Sequence, residues 1–225
     1  MHSTGICCLN PYQAGGKISC TLASYNPREY WLARGKVYKE QFKRDPEKQL
    51  QEEMLLDYLK GIAPFQTVLE VGCGFGRISD IILSNFPGVQ EYVATDMSPD
   101  QLENAKSYIK SDKIRFVESD IQSLQLPKKY DLVIAVSVLL HVLPAEVDQV
   151  VAKLVSFSKQ HVINVDYYED AKPKQVAPHN FMHQYEAIYK GLPSVKSVKR
   201  VPIVKKKAFS MLDAKQSIFH ALVDQ

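Results

Sequence analysis

The stretch Val68–Ser79, VLEVGCGFGRIS, constrains this chain more than any other. A β-branched run carrying an acid, Glu70, meets three glycines at alternate positions, Gly72, Gly74 and Gly76, and a helical pattern follows. Glycine there permits positive φ and lets a ligand approach the backbone with no Cβ in the way. A strand that bends over such a loop into a helix opens a βαβ unit, and the helix start beyond it favours a negative group. A dinucleotide site expects G-x-G-x-x-G, but the sixth position counted from Gly72 is Arg77, which disfavours nicotinamide binding.

The alternation continues along the chain. Strands are predicted at 67–72, 91–96, 114–119, 130–139 and 160–168, with helices between them at 76–86, 98–110 and 144–158. The run 130–139, YDLVIAVSVL, is the most apolar and belongs at the sheet centre. A further helix is expected over 180–191, capped by Asn180 and ended by Gly191. The last part reads as two strands, 195–204 and 216–223, that pair antiparallel. The expected fold is α/β: a doubly wound, seven-stranded, mostly parallel sheet with an antiparallel C-terminal β-hairpin and helices on both faces. Upstream, Leu50, Met54, Leu55, Tyr58, Leu59 and Ile62 mark the apolar face of one long helix.

A chain of 225 residues suits one domain of this kind. Residues 1–24, rich in Gly, Ser, Thr and Cys, read as a flexible arm. Residues 25–225 read as a single domain, with 25–63 as a helical lid. No apolar run approaches the ~18 residues of a membrane span, and the start lacks a secretory signal, so a cytoplasmic location is expected. Cys7, Cys8, Cys20 and Cys73 lack the spacing of a zinc site or a disulfide framework, and no metal is expected. The net charge of +3 demands no polyanion, although Lys196, Lys199, Arg200 and Lys205–Lys207 cluster near the end. Oligomeric state is not written in these patterns.

The other predicted strand ends carry chemistry as well. Asp96 closes the second strand, beyond the helix that Gly76 opens, where a carboxylate can accept from both hydroxyls of a ribose. Met97 beside it offers a polarizable surface to a purine face. Asp120 and Ile121 follow the third strand, the acid suited to an adenine amino group and the Ile to its ring.

Together, VLEVGCGFGRIS, ATDMSPDQLENA, VESDIQSL and YDLVIAVSVLLHV resemble the class I S-adenosylmethionine-dependent methyltransferases over about residues 50–170. The resemblance implies S-adenosylmethionine as cofactor and S-adenosylhomocysteine as product. It implies that Glu70, Gly72, Cys73, Gly74 and Gly76 line the methionine moiety, that Asp96 holds the ribose, and that Met97, Asp120 and Ile121 hold adenine. Val136 and Ser137 would lie beside the methionine or the transferred methyl. Tyr30, Trp31 and Arg34 would form part of a lid, with Arg34 suited to the cofactor carboxylate. Base candidates are His141, Asp166 and His179, whereas His183 falls off the predicted helix face and reads as solvated. The expected reaction is methyl transfer to O or N of a small molecule or peptide. RNA methylation through the basic end and a non-catalytic cofactor-binding scaffold are the alternatives, with nucleic acid the less favoured acceptor and no membrane partner.

Overall fold

The computed structural model describes residues 25–168, 174–204 and 216–224. The arm with Cys7, Cys8 and Cys20, and the lysines 205–207 of the basic end, lie outside the described residues.

Two helices lead the chain: α1, Pro27–Gln41, and α2, Pro46–Lys60. Each begins at an acid or amide followed by proline. Asn26 accepts from the Glu29 amide and Asp45 from the Lys48 amide, which satisfies amides that a helix start leaves bare. Then come β1 (Thr67–Val71), α3 (Arg77–Asn85), β2 (Glu91–Asp96), α4 (Pro99–Tyr108), β3 (Ile114–Glu118), β4 (Tyr130–Val136), α5 (Val147–Ser156) and β5 (Ser158–Tyr167). A small hairpin, β6 (Lys174–Ala177) with β7 (Asn180–Met182), precedes α6 (Tyr185–Lys190), β8 (Val195–Pro202) and β9 (Gln216–Val223).

The main sheet runs β3-β2-β1-β4-β5-β9-β8. The first five strands are parallel, and β9 is antiparallel to both β5 and β8. The seven-stranded, mostly parallel fold with its antiparallel end is as expected. β4 is the middle strand, and Leu132, Val133, Ile134 and Ala135 are fully buried there, as strands covered on both faces must be. Alternation divides the core in two. Val68, Tyr92, Ile134 and Ile163 pack under Leu55 and Leu59 of α2 and Ile78 and Ile82 of α3. Leu69, Val93, Val133 and Val162 pack against Val150, Val151 and Leu154 of α5 and Tyr185 and Tyr189 of α6.

Tyr30, Trp31 and Arg34 stand on α1, within the segment 25–63 expected to be helical, and on a separate helix from the one marked by Leu50 to Ile62. One segment departs from the sequence reading. The single helix expected over 180–191 is instead β7 followed by the six-residue α6. Burial alternates from Phe181 through His183 to Tyr185, a period of two that suits an extended chain, and Tyr168 bridges to His183.

Candidate active site

The tips of β1, β2 and β4 lie level, with Val71 opposite Thr95 and Glu70 opposite Ile134. Above them the three glycines are left-handed: Gly72 at φ 69°, Gly74 at 56° and Gly76 at 92°. Their surroundings differ. A Cβ on Gly72 would stand 2.6 Å from Val138 Cγ2, and one on Gly76 would stand 2.5 Å from Ile109 Cδ1. On Gly74 it would meet, among the described residues, only Gln101 Nε2, at 4.0 Å, so the loop is bare at Gly74.

Asp96 tightens this loop. One carboxylate oxygen accepts from the Gly74 amide at 2.8 Å and the other from the Ser98 amide at 2.9 Å. Burial pushes its carboxyl above the usual range, against those amides, which favour the charge. Each oxygen keeps a lone pair for a hydroxyl donor. Met97 lines an adjoining cavity of about 200 Å³ together with Arg28, Glu118, Ser119, Asp120 and Ser123. Asp120 accepts from the Ser123 amide at 2.7 Å and pairs with Arg28 of α1 at 3.0 Å. Burial raises its pKa, but these partners outweigh that and hold it low. Ile121 is buried in the core beneath. A groove of about 490 Å³ between α5 and α6, lined by Val147, Asp148, Ile188 and Leu192, is larger but shares no lining residue with this crevice.

Three residues expected to line the crevice turn inward. The Glu70 carboxylate, 2% exposed, accepts from Ser79 Oγ and from Tyr92 OH (2.7 Å), so it braces the loop from below. Burial pushes its pKa up to about 7. The Cys73 side chain is buried in the core, which raises its pKa well above normal, and only its backbone belongs to the loop. Asp166 is fully buried. It accepts from the Leu140 amide at 3.2 Å and from Asn164 Nδ2 at 2.8 Å, and burial pushes it up to about 7. It anchors the 3-10 turn Leu139–His141 and presents no oxygen to an acceptor, so the expectation of a base at Asp166 is corrected.

At the tip of β4, Val136 is nearly buried. Ser137 after it has φ 57°. That angle is uncommon outside glycine and marks a constrained backbone. Two bonds hold Ser137: its amide donates to Val165 O at 2.8 Å, and Gln51 Nε2 of α2 donates to its Oγ at 3.3 Å. Beyond it stands a cluster of rings. Tyr30 stacks on His179 at 4.7 Å, Trp31 tilts against His141 at 4.5 Å, and the two imidazoles lie 5.7 Å apart. Tyr25 OH donates to His141 O at 3.2 Å. His141 Nδ1 lies 2.8 Å from His179 O. A carbonyl can only accept, so the proton is on Nδ1 and Nε2 keeps its lone pair. Burial pushes His141 down to about 4 and lowers His179 too, the latter helped by the nearby Arg34 charge. Arg34 itself folds along its own helix to Gln41 and Tyr38 rather than toward the glycine loop. His183, read as solvated, is 1% exposed, and its Nε2 donates to Val142 O at 3.1 Å.

Sequence reasoning missed several residues that build the site. Arg28 on Asp120 and Gln51 on Ser137 belong to helices whose register is not written in the loop motifs. Arg77, the residue after Gly76, is held by Glu52 Oε1 (2.8 Å) and Gln51 Oε1 (2.9 Å) of α2. The Asn26-Pro27 and Asp45-Pro46 caps were the available signal for these helices.

Residues 68–161 match the sequence profile described as a methyltransferase domain. Over that stretch, which is less than half of its length, the chain is similar to methyltransferases. In a curated malonyl-[acyl-carrier protein] O-methyltransferase of Anoxybacillus flavithermus, 87 residues are 33% identical, covering 38% of this chain and 33% of that protein. A ubiquinone biosynthesis O-methyltransferase of Rickettsia felis is 34% identical over 94 residues, 41% of this chain and 36% of that protein. The chain thus spans about a third of the length of these relatives. The fold extends much further. The magnesium protoporphyrin IX methyltransferase of Synechocystis, with bound SAM, superposes with a TM-score of 0.64 at 15% identity, covering 90% of this chain and 99% of that one. The N-methyltransferase NodS of Bradyrhizobium japonicum, in complex with S-adenosyl-L-homocysteine, gives 0.67 at 14%, covering 88% and 97%. Among the described residues, no helix is long and apolar enough to cross a membrane.

Proposed function

We propose that the chain transfers a methyl group from S-adenosylmethionine to an oxygen or nitrogen atom of a small molecule or a peptide group. One observation carries this reading. A loop with three left-handed glycines is tied by Gly74 to a strand-end carboxylate, and among the described residues the one near neighbour of a Cβ added at Gly74 is 4.0 Å away. That bare cradle fits an amino-acid tail with an adjoining sugar, and the cavity beside Met97 fits a base. Asp96 would take ribose hydroxyls, the backbone of Gly72–Gly76 the methionine moiety, and Met97 and Asp120 the adenine. When bound, S-adenosylmethionine supplies a methyl group on a sulfonium leaving group.

The chain's own part is orientation and exclusion of water. The ring cluster of Tyr25, Tyr30, Trp31, His141 and His179 roofs the tip of β4, where the acceptor would stand. His141, neutral and unprotonated at Nε2, is a weak base at a pKa of about 4. Its suited role is to accept the hydrogen of an acceptor O–H or N–H and so aim the lone pair. Neutral imidazoles and aromatic faces favour a compact, partly apolar acceptor. The curated relatives' names, O-methyltransferases both, support oxygen.

Calorimetry tests the cofactor. S-adenosylmethionine and S-adenosylhomocysteine should bind and NAD should not, and Asp96→Ala should lose about 1–3 kcal/mol of binding. Unchanged affinity in that variant removes the ribose assignment. Cell extract incubated with methyl-labelled cofactor should place label in small molecules or peptides, and label confined to RNA would refute the acceptor class.

A further inference from the structure

The side chain of Gln101 has no part in the site as described so far. It sits in the first turn of α4, 3% exposed, its backbone amide donating to the Ser98 cap at 3.4 Å. The carboxamide is wedged between α1 and the glycine loop. Its Cγ lies 3.3 Å from where a Cβ on Gly35 would stand, and its Nε2 lies 4.0 Å from the same point on Gly74. Its Oε1 is buried and, among the described residues, accepts no hydrogen bond. Gln51, the other buried glutamine at this site, makes the contrast. Its Oε1 accepts from Arg77, and its Nε2 donates to Gln216 at 2.8 Å and to Ser137. A buried amide oxygen left without a donor is unfavourable, and a fold seldom keeps one without a use.

We propose that Gln101 is a cofactor-binding residue that completes the sugar site begun by Asp96. This inference rests on the reading of the crevice as an S-adenosylmethionine site. Gly74 links the two side chains: its amide is bonded to Asp96, and the open space over its Cα is bounded by the Gln101 amide. A vicinal diol brings two donors and two acceptors. A carboxylate can only accept, whereas a carboxamide both accepts and donates. Asp96 and Gln101 together therefore satisfy a ribose in a way that Asp96 alone does not. Helix α1 covers the amide at Gly35, so the bond formed would be shielded from water.

The test compares wild type and Gln101→Leu in two measurements, thermal unfolding without ligand and calorimetry with S-adenosylhomocysteine. The leucine variant should melt at or above the wild-type temperature, because it removes an unpartnered buried oxygen. It should bind S-adenosylhomocysteine about tenfold more weakly, one lost hydrogen bond. Equal affinity overturns the inference while leaving the proposed function standing. A lowered melting temperature that accompanies the affinity loss also overturns it, since the amide would then serve packing in the free protein. Wild type that binds no S-adenosylhomocysteine refutes the proposed function and this inference with it.

Discussion

Adding one methyl group to each loop glycine separates backbone strain, steric fit and ligand contact. All three glycines are left-handed. Alanine at any of them therefore meets the same conformational penalty of about 1–2 kcal/mol. At Gly76 the new methyl would also stand 3.3 Å from Ala105 Cβ on the buried face of α4, and 2.5 Å from Cδ1 and 3.1 Å from Cγ1 of Ile109, the residue that ends α4. Ala105 Cβ is fixed to the α4 backbone and Ile109 is buried beside it, so the Ile side chain must repack in a filled core, and overpacking of this kind adds about 1–3 kcal/mol. Gly76→Ala should therefore lose about 2–5 kcal/mol in urea unfolding, with an unchanged slope. Among the described residues, Gly74→Ala meets only Gln101 Nε2 at 4.0 Å. It should lose no more than the strain, about 1–2 kcal/mol. Calorimetry with S-adenosylhomocysteine should reverse the order. The Gly74 methyl fills the cradle and should abolish or strongly weaken binding, whereas Gly76→Ala, where it still folds, should bind better than Gly74→Ala. Equal stability losses at the two positions, or a Gly74→Ala variant that binds like wild type, would refute the reasoning.

Three further outcomes follow from buried or paired titratable groups. Both donors to Glu70 use the same oxygen, so a glutamine can keep them. Its folded pKa of about 7 lies above the ordinary 4.5, so its contribution to stability is full below 4.5 and lost as pH rises through 7. Glu70→Gln should then be more stable than wild type at pH 8, by up to about 3 kcal/mol, and not at pH 5. At the far end of the sheet, Asp131 accepts from the amides of Gln66 (3.0 Å) and Thr67 (2.8 Å) and from Lys159 (2.9 Å). Burial raises its pKa, but these partners outweigh that and hold it at about 2, so its contribution is present above 3.8 and lost as pH falls through 2. Asp131→Asn should lose about 2 kcal/mol at pH 6, and the gap should close toward pH 2. Nitrogen NMR of His141 should show the Nδ1–H tautomer and no titration between pH 5 and 8, and a midpoint near 6.5 would contradict its buried setting.

The sheet was legible because each of its strands is a compact β-branched run set off by turn residues. Asp96 and the glycines were legible because their positions follow from where β1 and β2 must end. Glu70, Cys73 and Asp166 were placed at the right strand tips, but sequence order does not say which way a side chain faces. Glu70 and Asp166 turn out to spend their charge on Ser79, Tyr92 and the Leu140 amide. The segment 180–184 was misread because Tyr185 and Ile188 do belong to a helix, which Gly191 ends, and its pattern was carried too far upstream. The bounds of α1 were not legible because its ring-rich surface has little contrast between faces, so the cap at Asn26 was its clearest mark.

The two flanks of α1 are unequally fastened. Toward β3 it is held by Arg28 on Asp120, a pair whose Arg side chain is 60% exposed. A pair that open to water contributes about 1 kcal/mol or less. Toward β4 it is held by Tyr25, Tyr30 and Trp31 against the two imidazoles. Ring contacts of this kind contribute about 0.5–1.5 kcal/mol each. Added salt should therefore loosen only the Arg28 corner, because Gly35 also seats the helix against Ser98 and Gln101 at the start of α4.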